Sequence, residues 1–292
     1  MSKEGFTARI ISLYGKAGMF ENAQKVFDEM PEHDCNRTVL SFNALLGACL
    51  NSKKLDLFDG LFRDLPGKLS IEPDVVSYNT LIKALCEKGS LDDAVSVLDE
   101  IESKGLEPDL FTFNTLLCEL YKNGQFERGE EIWSKMMEKK NVSLDGRSYN
   151  ARLLGLSMQR KSKDLVVLFE EMKNKGIKPD DFSFNSMIRG FINEGKLDEA
   201  KTWYSEMEKN DCRPNKSTFA IMLPVLCKSG DLGYAFELCK EIFNKRHLID
   251  KVILQQVVDE LVKGSKGEEA KELLELAKSN DYLRIKLGMA SE

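Results

Sequence analysis

The sequence predicts an all-α fold, an α-solenoid superhelix of about eight helix-turn-helix repeats, and three observations support this. A tripeptide of Ser or Thr, an aromatic residue and Asn recurs at intervals of 35 or 36 residues. Glycine recurs ten residues after the Asn position, where a helix is expected to end. Apolar residues recur in two columns three residues apart, as on one face of a second helix. A repeat this short cannot bury its apolar face alone, so neighbouring repeats are expected to stack.

The tripeptide sets the boundaries of the repeats. It occurs as Ser41-Phe42-Asn43, Ser77-Tyr78-Asn79, Thr112-Phe113-Asn114, Ser148-Tyr149-Asn150 and Ser183-Phe184-Asn185, followed by the variant Thr218-Phe219-Ala220. The same spacing extended in both directions places Ala8 and Gln255 at the Asn position. The predicted repeats are 4–38, 39–74, 75–109, 110–145, 146–180, 181–215, 216–250 and 251–285, in a single solenoid with a tail at 286–292.

Each repeat is expected to contain a first helix of about ten residues, a turn, a second amphipathic helix and a loop. The Ser or Thr of the tripeptide is expected to cap the first helix. Ser90 with Asp93, and Ser265 with Glu268, have the spacing of a capping box that opens the second helix. The glycines expected to end first helices are Gly18, Gly89, Gly124, Gly195 and Gly230. Small residues that allow close helix approach are Ala23, Ala94, Ala200, Ala235 and Ala270.

The composition argues against several classes of function. The 292 residues include two His, a formal net charge of −6 and no apolar stretch near the roughly 18 residues of a membrane span. Two distant His leave little material for a catalytic triad or a multi-His metal site, so we expect no metal and no cofactor. The seven Cys lack ligand spacing and are expected to be small buried hydrophobes in a reducing compartment. The start of the chain resembles no targeting peptide, so we expect such a peptide to be removed or left out.

The repeated pattern resembles a known family. The stretch Val75-Val-Ser-Tyr-Asn-Thr-Leu-Ile-Lys-Ala-Leu-Cys-Glu-Lys-Gly89, the segment Leu91-Asp-Asp-Ala94 and the segment Gly105-Leu-Glu-Pro-Asp109 are close to the consensus of P-type pentatricopeptide repeats. The resemblance covers residues 4–285, and the Trp-x-x-Leu-Gly of tetratricopeptide repeats is missing. The chain is also similar to short plant mitochondrial members of the family that are accessory subunits of the mitochondrial ribosome's small subunit, including at its end region 263–270.

This resemblance implies a non-catalytic protein that binds single-stranded RNA, either mRNA or rRNA, on its concave face. It implies ribosomal proteins as further partners, a location in the mitochondrial matrix, and no membrane or small-molecule substrate. The deaminase signature H-x-E with P-C-x-x-C is absent, which also disfavours an enzyme. The alternative is a protein–protein scaffold of the mitochondrial ribosome with no sequence-specific reading of RNA.

The recurring Asn has two interpretations from the residues alone. Asn is a poor helix former, and its amide offers a donor and an acceptor that suit the Watson–Crick edge of a base. A local role, in which the amide satisfies a backbone N–H, explains the recurrence equally well.

The family resemblance implies a two-residue base code, formed by this Asn and the last residue of the same repeat. The implied pairs are Asn43 with Asp74, Asn79 with Asp109, Asn114 with Asp145, Asn150 with Asp180, and Asn185 with Asn215. The code implies uracil for the four Asn/Asp pairs and a pyrimidine for the last, hence a U-U-U-U-Y segment read 5′ to 3′. The residues implied to flank the bases are Leu40, Val76, Phe111, Arg147 and Phe182.

The outer repeats and the lysines do not follow the Asn and Asp pattern. Ala8 with Thr38, Ala220 with Asp250, and Gln255 match no common code, so their repeats are interpreted as capping or protein-contact repeats. Lysines that end first helices could meet phosphates, or could be solvated helix C-termini: Lys16, Lys122 and Lys228. The acidic net charge gives little nonspecific attraction for RNA, which favours a contact assisted by protein partners.

Overall fold

The computed structural model describes residues 3–139, 143–280 and 287–288. Within these residues it contains sixteen α-helices, one short 3₁₀ helix and no strand. The chain divides into two compact parts, an N-terminal body at 1–144 and a C-terminal body at 145–292. Each body consists of helix-turn-helix repeats, so the predicted all-α repeat fold is confirmed.

The N-terminal body holds four helix pairs. Its first helices are α1 (Lys3–Lys16), α3 (Val39–Asn51), α5 (Val75–Lys88) and α7 (Leu110–Lys122). Its second helices are α2 (Phe20–Glu29), α4 (Leu55–Leu69), α6 (Leu91–Ser103) and α8 (Phe126–Glu138), and a 3₁₀ helix at Met30–His33 follows α2. Each first helix packs on the second helix of its own repeat, and α1, α3, α5 and α7 pack on one another in chain order, so the first helices of this body form one layer.

The C-terminal body repeats this arrangement. Its first helices are α9 (Gly146–Met158), α11 (Asp181–Asn193), α13 (Lys216–Ser229) and α15 (Lys251–Lys263). Its second helices are α10 (Ser162–Asn174), α12 (Leu197–Lys209), α14 (Leu232–Asn244) and α16 (Gly267–Ser279). The first helices again pack on one another in chain order. Residues 286 and 289–292 of the predicted tail lie outside the described residues, and the single solenoid stays a prediction.

The turn between paired helices uses a left-handed residue in every repeat. The five predicted glycines have φ between 72° and 80°, a conformation that costs glycine little. Lys53, Arg160 and Ser265 occupy the same position in the other repeats with φ of 55–59°. The expected capping boxes of the second helices are wrong. Ser265 is this left-handed residue, and Ser90 precedes α6 with ψ of 65°, away from the extended backbone that turns a cap side chain onto the helix.

The core lies between first and second helices. The five alanines at the predicted close approach are fully buried. One of the two predicted apolar columns stands nineteen residues after the Asn position and is buried in every repeat: Phe27, Phe62, Leu98, Trp133, Phe169, Tyr204, Cys239 and Leu274. Five cysteines are buried and two, Cys86 and Cys118, are only half-buried. Burial raises the pKa of Cys49 to about 11 and that of Cys86 to about 12, so these thiols stay protonated at neutral pH. None of the helices in the described part of the chain is both long and apolar enough to cross a bilayer.

Acid is expected to weaken one contact between neighbouring repeats. The Glu194 carboxylate is held by Lys196 at 2.6 Å, accepts from the Ser162 backbone N–H that opens α10 at 2.5 Å, and accepts from the Ser162 hydroxyl at 2.7 Å. These partners lower the pKa of Glu194 from 4.5 to about 2. A lowered folded-state pKa contributes stability above the ordinary value, and this stability is lost as the pH falls from 4.5 towards 2.

Urea unfolding midpoints measured across this pH range check the expectation. The unaltered protein is expected to lose stability more steeply than Glu194→Gln, which has no carboxylate to protonate. Glu199→Gln, an exposed position on α12 with the same charge change, is the matched control and should follow the unaltered protein. Parallel profiles for Glu194→Gln and the unaltered protein would contradict the assignment.

Candidate nucleic-acid interface

The N-terminus of each inner first helix is capped by the last residue of the preceding repeat. Asp74, Asp109, Asp145 and Asp180 each accept the backbone N–H three residues later, at 2.8–2.9 Å, from extended backbone. The Ser or Thr at that third position completes a capping box with the N–H of the cap residue. The expectation that the tripeptide's Ser or Thr is itself the cap is therefore wrong, because the Asp occupies that place.

The Asn of the tripeptide bonds to the side chains of the next capping box. Asn43 Nδ2 donates to Asp74 Oδ1 at 3.0 Å, while Asn43 Oδ1 accepts from the Ser77 hydroxyl at 2.6 Å. The two residues of the implied base code are thus hydrogen-bonded to each other. The local interpretation, in which the amide satisfies a backbone N–H, does not describe this contact.

The same arrangement recurs once more in each body. Asn79 Nδ2 donates to Asp109 Oδ1 at 3.2 Å and its oxygen accepts from Thr112 at 2.6 Å. Asn150 Nδ2 donates to both oxygens of Asp180 at 3.0 and 3.1 Å. The Asn150 oxygen accepts from Ser183 at 2.6 Å. Asn79 and Asn150 are less than a tenth exposed, so a base can meet only one edge of each amide.

The two remaining implied pairs differ. Asn114 lies half-buried on α7, and Asp145 caps α9 in the C-terminal body, where it accepts from the Ser148 backbone. Asn185 is buried, and its side-chain oxygen accepts no hydrogen bond from the described residues. Asn215 caps α13, and its Nδ2 donates to Asp181, because an amide has a donor where an Asp would have a second acceptor.

The first repeat replaces the missing amide with a carboxylate. Ala8 has no polar side chain, but Glu4 lies one helical turn earlier on α1. Its Oε1 accepts from the backbone N–H and hydroxyl of Thr38 and of Ser41, at 2.8–3.3 Å. Burial raises the pKa of Glu4, but these hydrogen bonds outweigh it, and the pKa lies below its ordinary value of 4.5.

In the last two repeats the residues at the code positions form other contacts. Ala220 is exposed, and Asp250 forms an ion pair with Lys216 at 2.6 Å. Gln255 donates to the Gly288 carbonyl at 2.7 Å and accepts from the Gly288 N–H at 3.0 Å. The amide of the eighth repeat is therefore occupied by the chain's own backbone.

The residues implied to flank bases are exposed although four of them are apolar. Each is the second residue of its first helix, three positions before the Asn: Leu40, Val76, Phe111, Arg147 and Phe182. The four apolar side chains are between 42% and 54% exposed. In each body they flank the Asn side chains along the N-terminal ends of the first-helix layer, where a planar base could stack.

The three lysines that were expected near phosphates differ in their contacts. Lys122 lies 2.8 Å from the Glu119 carboxylate, and this hydrogen bond raises the pKa of Lys122. Lys16 and Lys228 are exposed in the last turns of α1 and α13. Within the described residues no group of three or more His, Cys, Asp or Glu is arranged to hold a metal ion.

Glu4 and the hydroxyls of the capping boxes are not among the site residues that the sequence predicts. The signal was present: Asp-x-x-Ser or Asp-x-x-Thr recurs at 74–77, 109–112, 145–148 and 180–183, with the spacing of a capping box. Glu4 had no such signal, because its partners are 34 and 37 residues away.

Known proteins share both the sequence pattern and the fold. The model described as PPR repeat family matches 73–122, 145–193 and 181–228, the pentatricopeptide repeat domain model matches 5–52, and the PPR repeat model matches 111–141. The chain is 66% identical over 289 residues to the small ribosomal subunit protein mS79 of Arabidopsis thaliana, covering 99% of this chain and 73% of that protein.

Two further proteins are more distant. A mitochondrial pentatricopeptide repeat-containing protein of Arabidopsis thaliana is 34% identical over 170 residues, which cover 58% of this chain and 40% of that protein. The crystal structure of the pentatricopeptide repeat protein PPR10 in complex with an 18-nucleotide psaJ RNA element matches with a TM-score of 0.62 at 20% identity. That match covers 97% of this chain and 46% of PPR10, and it shows the fold. The chain belongs to the pentatricopeptide repeat family.

Proposed function

We propose that the chain is a non-catalytic protein of the mitochondrial matrix that binds a short U-rich or pyrimidine-rich single strand of RNA as a component of the small ribosomal subunit. The observation that carries the proposal is the row of exposed apolar side chains beside the Asn–Asp pairs. An exposed apolar face supplies stacking, and the adjacent amide and carboxylate supply a donor and an acceptor for the base edge. The RNA in the PPR10 complex and the ribosomal relative mS79 support the same assignment.

The charge distribution favours binding that depends on partners. The net charge of −6 provides little attraction for phosphates, and Lys122 is already paired with Glu119. Five bases that stack with about 1–3 kcal/mol each form a modest contact for a free protein. Ribosomal proteins that hold the chain in place would raise the effective concentration of the RNA at this surface.

Substituting two of the amides tests base reading. Asn79→Ala with Asn114→Ala is expected to weaken binding of a U-rich oligonucleotide by about tenfold or more, since each removes a hydrogen-bonding group from the base edge. Fluorescence anisotropy at low salt measures the change. Asn51→Ala, at the end of α3 and away from the pairs, is a matched control that should leave binding unchanged.

Two outcomes would contradict the proposal. Equal affinity for oligo-A and oligo-U would refute base reading. Failure of RNase to release the protein from mitochondrial ribosomes, combined with no oligonucleotide binding at low salt, would favour the scaffold function instead. A cleavage assay with Mg²⁺ on bound RNA tests the absence of catalysis, and cleavage that tracks the purified protein would contradict it.

A further inference from the structure

The buried hydroxyls of the capping boxes fix the orientation of the Asn amides. A carboxylate accepts hydrogen bonds only, so the amide nitrogen of Asn43 must face Asp74 and its oxygen must face Ser77. The Ser77 oxygen already accepts from the Asp74 N–H at 3.2 Å. The Ser77 hydroxyl donates to Asn43 at 2.6 Å, a shorter contact than the 3.1 Å that separates it from Asp74 Oδ1. The amide is therefore clamped at both ends.

The clamp leaves a specific edge for a ligand. The Asn amide has two N–H groups and an oxygen with two lone pairs, and the clamp uses one N–H and one lone pair. The oxygen faces a fully buried hydroxyl, so the group that remains for a base is the second N–H. A donor matches a keto oxygen on a base and opposes an amino group.

We infer that the hydroxyls of Ser77, Thr112 and Ser183 are specificity-determining groups, which hold the amide of the preceding repeat so that only a donor meets the RNA. An N–H that meets position 4 of a pyrimidine thereby selects uracil, which has a keto oxygen there, over cytosine, which has an amino group there. This inference rests on the proposed function, because it assigns a role in base reading. All three hydroxyls are fully buried, so they act through the Asn and not by touching RNA.

In two other first helices the equivalent hydroxyl, that of Ser41 or Thr218, does not bond to an Asn of the preceding repeat's tripeptide. Thr218 bonds Asn215 at 3.3 Å, and the oxygen of Asn185 is left without a hydrogen bond from the described residues. Ser41 donates to Glu4 at 2.9 Å, because the first repeat has no Asn. Removing the hydroxyl of Ser41 or Thr218 disturbs a capping box without releasing a clamped amide, so these two residues provide matched controls.

The test compares two pyrimidine RNA probes, one with a keto oxygen at position 4 of each base and one with an amino group there. Oligo-U and oligo-C of about twelve nucleotides, long enough to span the five implied bases, are titrated against the unaltered protein and the variant Ser77→Ala/Thr112→Val/Ser183→Ala. We expect the ratio of affinity for oligo-U over oligo-C to fall by about fivefold or more, the effect of one net hydrogen bond. The control Ser41→Ala/Thr218→Val should keep the original ratio. The exchange Ser77→Thr/Thr112→Ser/Ser183→Thr keeps every hydroxyl and should also keep it.

The outcomes separate this inference from the proposed function. If the triple variant does not fold by circular dichroism, the near-isosteric single variant Thr112→Val makes the same test at one repeat. An unaltered protein that prefers oligo-U, with hydroxyl-free variants that retain the full ratio, overturns the role of the hydroxyls alone. An unaltered protein that binds oligo-A as tightly as oligo-U refutes base reading, and the inference fails with it.

Discussion

Single-stranded RNA is expected to bind at least about thirtyfold more weakly when Phe111 and Phe182 are both replaced by alanine. Stacking of a base on an aromatic side chain contributes about 1–3 kcal/mol, and the two residues lie in different bodies, so their effects should add. The rings are 48% and 42% exposed, so their loss should change the unfolding midpoint little. Fluorescence anisotropy with a U-rich oligonucleotide measures the loss.

A matched variant separates stacking from general loss of apolar surface. Leu57 on α4 and Val167 on α10 are 50% and 68% exposed, but they lie on second helices, away from the Asn–Asp pairs. Leu57→Ala with Val167→Ala should leave RNA affinity unchanged. A similar loss in both double variants, or less than about a threefold loss for the phenylalanines, would show that the first-helix N-termini are not the RNA surface.

Gly15→Ala is expected to destabilise the N-terminal body by about 2 kcal/mol. A Cβ at Gly15 would lie 2.4 Å from Ala48 Cα and 2.6 Å from Ala48 Cβ, so α1 and α3 would have to move apart. Overpacking of this kind costs up to about 3 kcal/mol, and the better helix propensity of alanine offsets about 1 kcal/mol. The obstacle is backbone of a neighbouring helix, which cannot rotate away as a side chain can.

Gly47→Ala provides the control for this change. Gly47 lies inside α3, and nothing lies within 4 Å of a Cβ added there, so alanine should be neutral or stabilising. Trp133 reports on the N-terminal body in a Trp203→Phe background, because these are the two tryptophans of the chain. Equal urea midpoints for Gly15→Ala and Gly47→Ala would contradict the close approach of α1 and α3.

The fold was predictable because its signals are local and repeated. The left-handed residue at Gly89, the alanine at Ala94 and the buried face that includes Leu98 each follow from spacing within one repeat. Repetition then removes the ambiguity that a single helix pattern leaves. The failed predictions concern helix starts, where Ser90 has the right residue type but the wrong backbone.

The candidate site was predictable in its positions and not in its contacts. The resemblance placed Asn43, Asp74 and their counterparts together, and the structure brings three such pairs within hydrogen-bond distance. It also shows that Asn185 and Asn215 do not form the same contact, although the implied code pairs them at the equivalent positions. The difference arises because Asn215 stands where the other inner repeats have Asp. Its amide has one oxygen that accepts hydrogen bonds, whereas a carboxylate has two.

By itself the sequence determined the repeat, the helical character of each part and the line of Asn and Asp positions, because each depends on neighbours within a few residues or on the period. Only the tertiary structure decided what those residues touch. Asn43 meets Asp74 and Ser77, 31 and 34 residues away, and Glu4 takes the same place for the first repeat. Hydrogen bonds across that separation depend on how one repeat stacks on the next, which no local pattern specifies.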